Sequence, residues 1–177
     1  MAKTKWAIDP VHSSVDFSVR HMMIANVKGS FKAFDATVVA DPADLTNAEI
    51  SFAIDAASID TRNEDRDNHL RSADFFDAEN NPKITFTATD IKKTDEGEYD
   101  VTGDLTIRGV TRPVTFSVVY EGSGKDPWGN EKAGFSGAGS INRADYGLTW
   151  NAALETGGVL VGDKIKISFE IQAAKAE

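Results

Sequence analysis

The feature that most constrains this chain is a period-two alternation of apolar and polar residues that recurs from end to end. In HSSVDFSVRH (12–21), Val15, Phe17, Val19 and His21 share one face, and Ser14, Asp16, Ser18 and Arg20 share the other. The same pattern places Ile50, Phe52 and Ile54 on one face of AEISFAIDAA (48–57), and Ile84, Phe86 and Ala88 on one face of KITFTATDI (83–91). EYDVTGDLTIR (98–108), RPVTFSVVYE (112–121) and KIKISFEIQ (164–172) continue it. Successive side chains of a strand point to opposite faces, so each run reads as a half-buried β-strand. In GSFKAFDATVVA (29–40), Phe31 and Phe34 fall at opposite parity, and the phase slip predicts a β-bulge.

Turn residues separate these runs: Asp9-Pro10, Asp41-Pro42, Asn80-Asn81-Pro82, Asp95-Glu96-Gly97 and the glycine-rich stretch from Gly122 to Gly129. Weaker strand signals near 5–9, 132–141 and 146–154 bring the expected total to about eight or more. Many short strands with local hairpin turns predict an all-β antiparallel sandwich or barrel. Alternation this clean favours a closed barrel with one wet face, which also leaves no exposed edge. At 177 residues, residues 1–177 are expected to form one domain.

One segment, SIDTRNEDRDNHLRSADFFDAENNP (58–82), departs from the pattern. Thr61-x-x-Glu64 matches a capping box and predicts a short helix over about 62–71, inside an insertion near 61–76. A helix this short and polar needs docking to persist, with Leu70, Phe75 and Phe76 as anchors. An insertion between barrel strands is placed to cover one end.

Charge narrows the partners. The net charge of −9 opposes nucleic acid, whose binding depends on cations neutralising phosphates, and it opposes electrostatic attachment to anionic headgroups. With no cysteine, disulfides, thiolate catalysis and Cys-based zinc sites are ruled out. The start, MAKTKWAIDP, carries no apolar signal-peptide core, so a cytoplasmic protein is expected. No stretch reaches the ~18 consecutive apolar residues of a membrane-spanning helix.

Several catalytic signatures fail on inspection. GGVLVGDK (157–164) spaces two glycines like a phosphate-binding loop, but Asp163 stands where the lysine belongs. GFSGAGS (134–140) matches neither a nucleophile elbow nor a dinucleotide fingerprint; its small residues predict strand curvature or close backbone approach. The three histidines, His12, His21 and His69, form no metal-binding pair, since His12 and His21 lie at opposite parity. No metal, cofactor or catalytic residue is therefore assigned. Phe17, Val19, Phe31, Phe52, Ile54, Phe86, Ile107, Phe116, Phe135 and Phe169 are the candidates for the inward layer. A barrel of about eight strands is either just filled by such side chains or holds one small ligand, and the residues leave both readings open.

From Trp6 to Met22 the chain reads W-x-I-D-P-x-H-S-x-V-x-F-x-V-x-H-M, followed by VKGSF (27–31), RDNHLRSADFF (66–76), PKITF (82–86), GDLTIRGV (103–110), INRADYG (141–147) and VGDKIKI (161–167). In order and extent these stretches resemble the YceI-like family of polyisoprenoid-binding proteins. The resemblance implies a lipocalin-like barrel around a hydrophobic tunnel. It also implies non-catalytic binding of an isoprenoid chain, such as a polyprenyl phosphate or quinone-type lipid, for carriage, storage or sensing. Homodimers and periplasmic members occur in the family. The ten inward residues and His21 would then form the ligand wall, with Arg20, Arg108, Arg112 or Arg143 reaching a polar head at the mouth. Two other readings compete: an enzyme using His21 as acid–base group, and a stress-related structural or interaction protein.

Overall fold

Period-two sequences with inward phenylalanine, valine and isoleucine leave the backbone one economical arrangement, a curved antiparallel sheet closed around its apolar face. A computed structural model of the chain, describing residues 3–22, 24–151 and 161–176, shows that arrangement. The strands are β1 (Thr4–Ile8), β2 (Ser14–His21), β3 (Ala25–Phe31), β4 (Phe34–Asp41), β5 (Asp44–Asp55), β6 (Ile59–Asp60), β7 (Lys83–Asp95), β8 (Glu98–Ile107), β9 (Val110–Lys125), β10 (Glu131–Asn142) and β11 (Val161–Lys175). One α-helix, α1 (Glu64–Arg71), lies between β6 and β7.

The strands follow the order β1-β4-β5-β7-β8-β9-β10-β11, and β1 pairs again with β11 to close the ring. β2 continues upward along β11 from where β1 leaves it: β1 meets β11 at Ala173–Lys175, and β2 meets it between Val161 and Glu170. β3 pairs with β2, while β4 pairs with β1 and β5. The β1–β2 and β3–β4 segments therefore act as two long strands, each broken midway. The result is a closed eight-strand antiparallel barrel, as the alternation and the family resemblance imply.

The break in β3–β4 replaces the expected bulge. Lys32 and Ala33 leave the ladder entirely, so Phe31 and Phe34 change parity through a gap between strands. β3 needs that gap to leave β4's course and pair with β6 through Ser30 and Phe31. The strand expected at 146–154 is absent over its described residues. A 3-10 turn covers Arg143–Tyr146 and ends at Gly147, whose positive φ of 76° suits glycine; irregular chain follows to Asn151. Residues 152–154, and 157–160 of the glycine-spaced stretch, lie outside the described residues.

The helix begins two residues later than expected and uses another cap. Asn63, in extended conformation, accepts a hydrogen bond from the Arg66 amide at 2.9 Å through its side chain. Thr61 instead donates its amide and hydroxyl to the buried Asp67 carboxylate. Glu64, Asp65 and Asp67 in the first turn and His69 and Arg71 in the last suit the helix dipole.

The two ends of the barrel differ. At the lower end, Trp6, Tyr99 and Ile91 pack with the small Ala40, Ala133 and Ala173, all buried. The Trp6 indole N–H donates to the Ala40 carbonyl at 3.2 Å, which satisfies this buried donor. The β2–β3 turn, α1 and the 143–151 segment gather at the upper end.

Candidate functional site: an apolar cavity inside the barrel

Above the plug the inward side chains do not meet. They enclose a cavity of about 210 Å³ whose exposed wall is apolar. Phe17, Val19, Phe31, Phe52, Ile54, Phe86, Ile107, Phe116, Phe135 and Phe169, the inward residues read from the alternation, all line it. The inward side chains therefore leave a cavity and do not just fill the barrel.

Ring contacts organise the wall. Phe86 meets Phe116 edge-on with centroids 5.3 Å apart, Phe116 meets Phe169 at 5.7 Å, and Phe169 meets Phe52 at 6.2 Å. A second group, Phe17, Phe31 and Phe76, joins the wall to the cap at 5.6 and 5.9 Å. Such tilted and edge-to-face pairs are the arrangements aromatic quadrupoles favour.

Glycine explains how rings this large line a cavity without filling it. A Cβ added to Gly137 would lie 2.2 Å from the Phe169 ring, and one on Gly139 would lie 2.7 Å from Phe116. Gly29 stands in the same relation to Phe17, and Gly103 to Phe86, each at 2.5 Å. Four inward rings thus lie against bare backbone on a neighbouring strand. The close approach expected of GFSGAGS is present at Gly137 and Gly139.

The 58–82 insertion covers the upper end. Leu70, Phe75 and Phe76, its expected anchors, all reach the cavity wall. Arg66 donates to the Thr61 hydroxyl at 2.8 Å and the Thr61 carbonyl at 2.7 Å, while Arg71 donates to the Ala57 and Ile59 carbonyls. His69 bonds Asp74 through Nε2 at 2.9 Å and packs edge-on against Phe75 and Trp150, at 5.0 and 4.7 Å. The imidazole thereby links the cap to the 143–151 segment.

The polar candidates sit apart from one another. His21 ends β2, half-buried and in register with Val161 and Ala25, and is not part of the described cavity wall. Arg20 and Arg112 are exposed. Arg108 occupies the tight β8–β9 turn with φ of 52°, beside Gly109 at 75°, and donates to the Gly147 carbonyl at 3.2 Å. Positive φ at both central residues is what the favoured two-residue hairpin turn requires.

Arg143 lines the cavity but is only 3% exposed. Its guanidinium donates to four carbonyls: Gly162 at 2.8 Å, Leu148 at 2.6 Å, Trp150 at 2.9 Å and Val161 at 3.3 Å. Burial lowers its pKa and Asp163 pulls the other way. The residue clamps the 143–151 segment to the start of β11, a role no motif in the sequence announces. Nearby, the Tyr146 hydroxyl is buried without a hydrogen-bond partner among the described residues, and burial raises its pKa. Tyr146, Arg108, Asp74 and Trp150 border a shallow cleft on the outside of this end.

Among the described residues no group of three or more His, Asp or Glu side chains is placed to hold a metal. His12 lies in an exposed 3-10 turn and bonds Asp9 through Nδ1 at 2.8 Å.

Comparison with known proteins matches residues 6–173 to the YceI-like domain family. A UPF0312 protein of Staphylococcus epidermidis is 47% identical over 171 residues, 96% of either chain. Among solved structures, BcnA of Burkholderia cenocepacia superposes with a TM-score of 0.82 at 28% identity, covering 93% of this chain and 98% of that one. A polyisoprenoid binding domain from Saccharophagus degradans reaches 0.71 at 14% identity, covering 97% and 98%, and so shares the fold.

Proposed function

The chain belongs to the YceI-like family, and from that premise we propose that the barrel binds an apolar, isoprenoid-type lipid without chemically changing it. One observation carries the reading: the inner face of the barrel encloses a cavity whose exposed wall is apolar, instead of a filled core. Native interiors are close-packed, so a cavity maintained by glycine–ring pairs is a feature of the sequence and not a packing defect.

Volume sets what can enter. An apolar cavity of ~150 Å³ already takes up benzene, so 210 Å³ holds roughly one to two five-carbon units on the same scale. A longer tail requires the cap to swing away and the upper rings to turn. Each buried CH₂ contributes roughly 0.8 kcal/mol, partly offset by ordering of a flexible chain. Affinity then rises with the length of tail admitted and needs few polar contacts. A head group would emerge at the upper end, where Arg108 and Tyr146 border the cleft; Arg20, Arg112 and His21 lie around the same end. Arg143 supports the wall from behind, its donors already committed to carbonyls.

Organic extraction or native mass spectrometry of the purified protein is the test. An isoprenoid or other long apolar lipid is expected to be released in stoichiometric amount. If nothing is extracted and an apolar fluorescent probe fails to enter the barrel, the cavity is not a lipid site. An acid–base role for His21 would instead need a substrate reaching its imidazole, which stands off the cavity wall.

A further inference from the structure

A net charge of −9 argues against an anionic partner, but the fold distributes that charge unevenly. At the upper end Val19 of β2 lies in register with Val27 of β3 and Ile165 of β11 on the inward side. In the neighbouring outward row, Ser18 sits between Lys28 of β3 and Lys166 of β11. One row higher, Arg20 is opposite Asn26, and Lys164 is opposite Asn142 on the far side of β11. All four cations are exposed. Among the described residues Lys28, Lys164 and Lys166 make no ion pair. Asp163, exposed beside Lys164, is the nearest carboxylate in sequence, and Asp16 lies one outward row below Ser18.

The chain turns directly above these rows, and the turn is apolar. Ile24 is 78% exposed and Met22 43%. Met22 adopts a φ of 53°, a region uncommon outside glycine, asparagine and aspartate. The Ile24 amide donates to the His21 carbonyl at 3.2 Å. The turn therefore projects apolar side chains into water above a flank of lysine and arginine. Apolar residues that enter the headgroup boundary beside basic residues that meet lipid phosphates are the signature of an interfacial anchor.

We propose that the β2–β3 tip, with Met22 and Ile24 inserted and Arg20, Lys28, Lys164 and Lys166 facing headgroups, docks the barrel on an anionic lipid bilayer. The tip adjoins the end of the cavity lined by Val19, Ile141 and Val161. An isoprenoid tail partitions into membranes, so a barrel that takes one up gains by docking at this end. That purpose rests on the cavity reading above; the docking stands on the tip and its basic flank.

Vesicle flotation tests it. The purified full chain is mixed with phosphatidylcholine vesicles and, separately, with phosphatidylcholine–phosphatidylglycerol vesicles. Association with the mixed vesicles is expected, weakening as salt rises. Each basic residue near an anionic surface contributes roughly fivefold in affinity, so Lys28→Glu with Lys166→Glu is expected to weaken binding at least tenfold. Met22→Ser with Ile24→Ser should do the same, with circular dichroism confirming the fold. Trp128→Ser, at the opposite end and 83% exposed in the wild type, should change nothing. The proposal is overturned if the wild type floats with neither vesicle, if binding survives both paired variants, or if Trp128→Ser alone removes it. A salt titration of the wild type gives the electrostatic answer should a paired variant misfold, since salt-insensitive binding also overturns it. Organic extraction of the same samples reads the cavity separately: a protein that carries lipid but never floats loses the docking site and keeps its lipid site.

Discussion

At the scale of single residues, the cavity depends on atoms that are missing. Gly137 lies directly opposite Phe169 in the β10–β11 ladder, and any Cβ there would run into the ring. Gly137→Val is therefore expected to tip Phe169 into the cavity, lower stability by about 1–3 kcal/mol through overpacking, and abolish recovery of extractable lipid. Gly124→Ala, where an added Cβ meets nothing within 4 Å, serves as the control. Thermal melting and organic extraction read the two effects. Arg143 is the opposite case, a side chain with more donors than any substitute can supply. A lysine there carries its donors at one point and cannot span carbonyls on both the 143–151 segment and β11. Arg143→Lys should cost about 2–3 kcal/mol from carbonyls left unpaired, measured by denaturant unfolding.

At the scale of elements, the cap is the part most open to perturbation. α1 is short and polar, and its hold on the barrel depends on Leu70 and the phenylalanines below it and on Asp67 beside it. The buried Asp67 carboxylate receives the Thr61 amide at 2.9 Å and also the Thr61 hydroxyl. Asp67→Ala leaves these donors without a buried acceptor, a loss of about 1–3 kcal/mol. The loss should appear first as faster amide exchange over residues 61–71 and faster lipid exchange, because local openings are the cheapest route to solvent. Asp67→Asn keeps the Oδ1 acceptor and should lose less. The capping box at Thr61 and Glu64 is a sound local signal that a competing local contact overrides. Asn63 sits two residues further on and caps equally well, which frees Thr61 for Asp67. The phase slip between Phe31 and Phe34 was legible as a disturbance, but only the pairing of β3 with β6 turned it into a full break.

At the scale of the whole molecule, stability against acid follows from the turn aspartates. The carboxyls of Asp9, Asp44, Asp60 and Asp126 are all held below the ordinary carboxylate range. The largest causes are hydrogen bonds from the His12 side chain, the Thr46 side chain, the Arg62 backbone and the Asn130 backbone respectively. A lowered folded-state pKa adds stability that is fully present above the unfolded value and lost as pH falls through the folded one. The melting temperature is thus expected to hold steady from neutral pH down to about 5 and to fall below about 4. A rise on acidification below pH 4 would show that these turns do not contribute. The same scale separates net charge from its placement: a chain that is acidic on average carries Lys28, Lys164, Lys166 and Arg20 on one flank, which no sum over the sequence shows.

What the sequence determined by itself is everything carried by period and residue type. Alternation dictates strands, the faces of those strands, and the ten side chains that look inward, because a strand's pleat leaves no choice of side. Turn residues dictate most of the strand ends. What the tertiary structure decided depends on distances between segments remote in the chain. Whether inward phenylalanines meet or leave a cavity turns on Gly29, Gly103, Gly137 and Gly139 standing under rings of neighbouring strands, which is a matter of register. Whether Arg143 reaches a ligand or a set of carbonyls depends on where Leu148, Trp150, Val161 and Gly162 lie around it. Local pattern encodes direction, and only packing encodes volume.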